Sequence, residues 1–149
     1  MGDRTVKAAC GRGDTMTFRP PDRAHPLYGR FWDDAPDGEL WVPWCTACGR
    51  AFWPPAEVCP QCLDDGVEWR RAAGTGTTWA VAEYWRGYSN GLADEVPYRC
   101  VLVELDVGPR LISRYVGDDA PVPGTRVVAT RIDMGDYSLP CFTAASTPA

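Results

Sequence analysis

Two Cys-x-x-Cys pairs, Cys45/Cys48 and Cys59/Cys62 in "CTACGRAFWPPAEVCPQC", constrain this chain more than any other feature. A Cys-x-x-Cys turn folds its backbone amides around two sulfurs and presents both to one ion, so two such turns complete a tetrahedral shell of thiolates. Gly49 directly follows the first pair and Pro60 sits inside the second, which suits paired zinc-ribbon knuckles. The expected metal is a single zinc ion, with iron as the alternative metal and a redox dithiol as the metal-free reading. Four thiolates leave no position for water, so the ion is expected to be structural rather than a Lewis acid. In zinc-finger peptides such an ion contributes on the order of 10 kcal/mol to folding.

A chain of 149 residues can bury a core without disulfides. Its longest apolar runs, such as Cys100-Val101-Leu102-Val103, are far too short to span a membrane, and no secretory apolar region precedes them. A cytoplasmic location is therefore expected, and the seven cysteines read as a metal site plus free thiols. Residues 1–24 lack apolar spacing and are expected to be a disordered leader. Residues 25–69 should hold a short N-terminal helical segment, with Leu27, Tyr28, Phe31 and Trp32 on one face, and the zinc ribbon. The helix is expected to stop before Pro36, and Asp37-Gly38 to turn the chain into "ELWVPW".

Residues 70–149 change character. Trp79, Val81, Glu83 and Trp85 alternate with Thr78, Ala80, Ala82 and Tyr84, the pattern of a long strand. Further strands are expected at 98–107, 110–116, 125–133 and 139–143, separated by Gly108-Pro109, "GDDAPVPG" and Gly135-Asp136. Five short strands with tight turns and no long amphipathic helix predict a mainly β protein whose second part is a five-stranded OB-fold barrel with a short C-terminal tail. Gly74-x-Gly76 is too short for a phosphate loop and is read as a bend at the barrel entrance.

The residues available for catalysis are few. His25 is the single histidine, placed at the edge of the leader and read as solvated. Cys100 and Cys141 fall inside predicted strands and are read as small buried hydrophobes, and Cys10 belongs to the leader. Asp33-Asp34, Asp64-Asp65 and Asp118-Asp119 lie beside turns. No catalytic residue is therefore assigned.

Nucleic acid is the rival ligand, because ribbons and OB barrels both bind it. Net charge is −5, and between Tyr28 and Trp69 only Arg30 and Arg50 face the eight carboxylates of Asp33, Asp34, Asp37, Glu39, Glu57, Asp64, Asp65 and Glu68. That is a poor surface for a polyanion. Tyr28, Phe31, Trp32, Trp41, Trp44 and Trp53 exceed what a small helix and ribbon bury alone, which points to a protein partner at Tyr28, Phe31, Trp32 and Trp44; the alternative is that they cover an open end of the barrel.

Taken in order, "YGRFWDDAPDGEL", the ribbon, "EWRRAAGTGTTWAV", "VPYRCVLVELDVGPRLISRYVG", "PGTRVV" and "LPCF" resemble an acyl-CoA-associated family. That family joins an N-terminal helical segment, a rubredoxin-like zinc ribbon and an OB-fold, and was first catalogued as domain of unknown function thirty-five. The resemblance covers residues 28–142. It implies a non-catalytic accessory subunit bound to a thiolase-like protein: a thiolase, an acyltransferase, or a retro-aldolase that shortens sterol side chains. The partner then supplies the nucleophile and acid–base groups, while this chain stabilises it and helps form the acyl-CoA channel. Some aldolase-associated relatives carry an additional hydratase-like domain, for which these residues leave no room. For CoA itself the residues selected are Arg50, Trp53, Arg70 and Arg71, as cations and an aromatic face for phosphate and adenine. Two other readings are a free-standing single-strand nucleic-acid binder and an independent acyl-CoA enzyme.

Overall fold

The computed structural model describes residues 20–88 and 90–146. The leader expected over 1–24 lies, up to residue 19, outside these residues, and so does Cys10. Seven strands follow one 3-10 turn at Gly29–Trp32: β1 (Glu39–Cys45), β2 (Val67–Ala73), β3 (Thr75–Tyr84), β4 (Tyr98–Leu105), β5 (Arg110–Tyr115), β6 (Arg126–Asp133) and β7 (Ser138–Ala144). A second 3-10 turn, Asn90–Glu95, joins β3 to β4. β1 and β2 form a two-stranded antiparallel ladder, and the remaining five strands close into a barrel in the order β3-β4-β5-β7-β6.

The expected mainly β architecture with a five-stranded barrel is therefore present. Turn chemistry explains the strand ends. Gly38, Gly108 and Gly135 take φ of 85°, 121° and 91° where the chain reverses, values that side chains disfavour. Asp133 Oδ1 accepts the Gly135 N–H at 2.8 Å, and this Asx turn sets up the β6–β7 hairpin.

One correction concerns the region before the barrel. The sequence pattern predicts no strand over 67–73, yet Val67–Ala73 is β2, paired along its whole length with β1 from Glu39↔Ala73 to Cys45↔Val67. The chain then passes from β2 to β3 with only Gly74 between them. Gly74 donates to Gly38 O (2.7 Å) and accepts from Ala129 N (2.9 Å), while Gly38 N donates to Ala129 O (3.1 Å). A Cβ on Gly74 would collide with the Ala129 side chain, so this junction of ladder and barrel requires glycine.

The ribbon ladder does not stand alone. Leu40 and Val42 of β1 are buried in the same cluster as Val101, Val103, Leu105, Leu111, Val127 and Phe142 of the barrel. Each such aliphatic side chain removed from water contributes about 1.5–3 kcal/mol. A separate small cluster, Cys45, Phe52 and Cys59 with Val67 and Ala56 against it, lies at the knuckle end. Among the described residues no helix is long and apolar enough to cross a membrane.

Candidate metal centre

The four cysteines come from two copies of one backbone device. Cys45 ends β1; its carbonyl accepts the Gly49 N–H at 2.9 Å, and its own N–H donates to Arg50 O at 2.9 Å. Fourteen residues on, the Cys59 carbonyl accepts from Leu63 N at 2.9 Å and its N–H donates to Asp64 O at 2.9 Å. Gly49 and Leu63 both have left-handed backbones, φ 70° and 63°. The two knuckles are thus related residue for residue.

All four Sγ atoms lie within 4.8 Å of one another. Cys45 Sγ to Cys62 Sγ is 3.6 Å and Cys48 Sγ to Cys59 Sγ is 3.8 Å. A tetrahedron with Zn–S bonds of about 2.3 Å has edges of about 3.8 Å, so the donor set fits zinc in both element and spacing. Backbone amides point at the sulfurs, Cys48 N at Cys45 Sγ (3.5 Å) and Gln61 N at Cys59 Sγ (3.4 Å). Such donors favour the thiolate form. Burial pushes the Cys59 thiol up, but the N–H groups of Cys62 and Gln61 and the neighbouring sulfurs outweigh it and bring it down to about 7. At Cys62 the Asp64 N–H pulls down, and burial and the three facing sulfurs prevail, raising it to about 12. Zinc bound here would supply a double positive charge that keeps all four sulfurs deprotonated, and with it a large share of the ribbon's folding energy. Cys45 and Cys59 are buried, Cys48 partly so, and Cys62 lies at the surface.

The residues selected for CoA and for a partner do not converge on one place. Arg50 lies on the first knuckle, its Nη1 3.4 Å from Gln61 Oε1. Arg70 and Arg71, adjacent on β2, leave the ladder on opposite faces. Arg70 sits over Trp44 and pairs with Glu68; Arg71 sits near Trp41, 3.7 Å from Glu39. Trp53 instead packs against Phe31, ring centroids 4.7 Å apart, and Phe31 meets Trp32 edge-on at 5.3 Å. Trp32 in turn meets Tyr137 of the β6–β7 hairpin at 6.1 Å. Tyr28, Phe31, Trp32 and Trp53 therefore form one aromatic wall, from which Trp44 is separate.

Sequence reasoning missed the role of His25. Its Nδ1 accepts from Leu27 N (3.1 Å) and Tyr28 N (3.3 Å), capping the turn that carries this wall. It also missed Arg131, whose three guanidinium nitrogens are inaccessible and have no hydrogen-bond partner among the described residues. Cys141 is fully buried, its thiol pushed up to about 12 by burial, and Cys100 is raised for the same reason.

Comparison with known proteins places these elements. Residues 32–68 match the family model described as the ChsH2 rubredoxin-like zinc ribbon domain, and residues 69–130 match the ChsH2 C-terminal OB-fold domain. The chain is 36% identical over 132 residues to a probable enoyl-CoA hydratase alpha subunit of Thermomonospora curvata, covering 83% of this chain and 40% of that protein. It thus spans less than half the length of that curated relative. A solved structure, the Ltp2-ChsH2(DUF35) aldolase, superposes with a TM-score of 0.70 at 29% identity, over 81% of this chain and 96% of that one.

Proposed function

The chain belongs to the ChsH2 (DUF35) family of zinc-ribbon and OB-fold proteins, and from that premise we propose that it is a non-catalytic accessory subunit of a heteromeric thiolase-like enzyme acting on an acyl-CoA. In this role it stabilises the partner and helps form the channel for the thioester. Carbon–carbon bond cleavage is the favoured reaction, because the solved relative is an aldolase complex.

The observation that carries this reading is the commitment of the reactive side chains. The four clustered thiols face one another, where a metal would hold all of them. His25 Nδ1 accepts two backbone N–H groups. The Cys141 thiol is buried and held protonated. A closed tetrathiolate site contributes no activated water, so the nucleophile and the acid–base groups fall to the partner.

Within this role Arg50 is the cation best placed to meet a CoA phosphate, since its contact is a neutral amide rather than a carboxylate. Arg70 and Arg71 already face Glu68 and Glu39, and Trp53 offers its ring to an apolar group beside Phe31. The charge pattern weighs against a nucleic-acid role. Arg30, Arg70, Arg71, Arg99, Arg110, Arg114 and Arg126 each lie beside a carboxylate of this chain.

Co-expression with a thiolase-like protein, followed by mass measurement and a CoA-thioester assay with each subunit omitted, tests the reading. The expected result is a hetero-oligomer active only when complete. Turnover by the isolated chain would contradict it.

A further inference from the structure

The two knuckles place their sulfurs differently. The first cysteine of each, Cys45 and Cys59, is fully buried, and its Sγ accepts a backbone N–H, from Cys48 and Gln61 respectively. The second cysteines form an outer pair, of which Cys48 is half-buried and Cys62 exposed. Around Cys62 the whole run of residues 60–65 is exposed. Bound to zinc all four sulfurs are thiolates, so access rather than ionisation ranks their reactivity.

The knuckles also differ in how they are held. The first continues β1, and the chain returns beside it, with Ala51 bridged to Trp44 and Phe52 N donating to Pro43 O at 3.1 Å. The backbone hydrogen bonds of the second, Cys59 N to Asp64 O, Leu63 N to Cys59 O and Val67 N to Asp65 O, stay within residues 59–67. Its ties to the first knuckle are those of Thr46 to Gly66 O and of Arg50 to Gln61. The second knuckle therefore separates from the ladder at the lower cost.

We propose that Cys62 is a modification site: the sulfur that electrophiles and peroxides reach first, and whose capture opens the metal shell. With hydrogen peroxide the Cys62 thiolate attacks one oxygen and the O–O bond breaks, leaving a sulfenic acid and releasing hydroxide. Cys45 Sγ, 3.6 Å away, then attacks that sulfur; the S–S bond forms, the S–O bond breaks, and a second hydroxide leaves. Two protons from solvent convert both hydroxides to water. The thiolates have together given up two electrons, the peroxide has taken them, and an ion left with only Cys48 and Cys59 is released. A neutral alkylating agent reaches the same end in one step, the Cys62 thiolate displacing the halide as the S–C bond forms. The proposal rests on the metal centre and is independent of the accessory role.

The test uses the zinc-loaded full chain carrying C10S, so that every remaining thiol is one of the six described. Substoichiometric iodoacetamide is followed by peptide mass mapping and by a chromogenic zinc chelator. Alkylation should appear at Cys62 about tenfold faster than at Cys45 or Cys59 and ahead of Cys48 and Cys100, with one zinc released for each Cys62 modified. Hydrogen peroxide should give a Cys45–Cys62 disulfide and the same release, reversed by dithiothreitol and added zinc. C62H keeps a zinc ligand and should hold the ion through a peroxide dose that empties the parent. If C62H fails to fold, the mapping on the parent chain still decides. Modification of Cys48 or Cys100 ahead of Cys62, zinc retained after Cys62 is alkylated, or any other disulfide would overturn the proposal, as would a chain that takes up no zinc. None of these readouts involves a partner protein, so failure of the accessory role leaves them standing.

Discussion

Leu63 repeats, at φ 63°, the left-handed backbone that Gly49 adopts at φ 70° in the other knuckle. The second knuckle thus carries a branched side chain where its twin carries none, and that conformation costs a non-glycine residue about 1–2 kcal/mol. Leu63 is 77% exposed and loses little packing if truncated. L63G should therefore strengthen the ribbon by up to about 1 kcal/mol, after allowing for glycine's greater freedom when unfolded. G49A should weaken it by a similar amount. Zinc competition against a chelator and denaturant midpoints would measure both; a destabilised L63G would show that the leucine makes a contact that outweighs its backbone strain.

Replacing any one of Cys45, Cys48, Cys59 or Cys62 by serine removes a thiolate from a set whose sulfurs all lie within 4.8 Å. The expected outcome is loss of bound zinc by elemental analysis and collapse of the near-ultraviolet signal from Trp41, Trp44 and Trp53. The barrel strands should persist in the far ultraviolet, because their core cluster is drawn chiefly from β4, β5, β6 and β7. EDTA should reproduce the effect in the wild type. Retention of stoichiometric zinc by C45S would contradict the tetrathiolate assignment.

The four cysteines were legible because ligand spacing is local: two turns of four residues carry the whole signal. The barrel strands were legible for a related reason, since Val101, Val103 and Leu105 alternate with outward residues over a stretch too short to be mistaken for a helix. β2 was not, because its residues are partly or wholly exposed on both faces and its order comes from β1, more than twenty residues away. The aromatic wall shows the same limit. The excess of rings was visible in sequence, but their grouping depends on contacts such as Phe31 with Trp53 and Trp32 with Tyr137, which no local pattern encodes. Nothing around Arg131 in the chain distinguishes it from a surface arginine; its burial is a tertiary fact.

Arg126 forks onto Asp106 with two bonds of 2.8 and 2.7 Å, tying β6 to the β4–β5 turn. That contact, helped by Thr75, holds the Asp106 carboxyl down at about 2. A depressed carboxylate stabilises the fold above its unfolded value near 3.8 and loses that contribution as pH falls through about 2. Both side chains are about half exposed, so the effect should be limited to about 1 kcal/mol. Urea midpoints of wild type and D106N should differ above pH 4 and converge toward pH 2. A gap undiminished at pH 2 would place the stabilisation elsewhere.

Arg131 makes the strongest demand on the barrel's end. Burial pushes its guanidinium down from the usual arginine range, and the facing charges, Asp34, Asp33 and Asp37 beyond the 3-10 turn, pull the other way, as does Cys141. Asp33 is already paired with Arg30 at 2.9 Å, and no carboxylate reaches the Arg131 nitrogens. A buried cation without hydrogen bonds is costly, and an apolar side chain of similar length removes that cost while filling the same space. R131M should therefore raise stability by about 1 kcal/mol, read as a higher urea midpoint with an unchanged slope. R131A should instead lower it, because truncation leaves empty the buried space that the side chain fills. A loss of more than about 2 kcal/mol in R131M would mean that the guanidinium is paired in solution, with Asp34 and Asp37 as the carboxylates to test next by D34N and D37N.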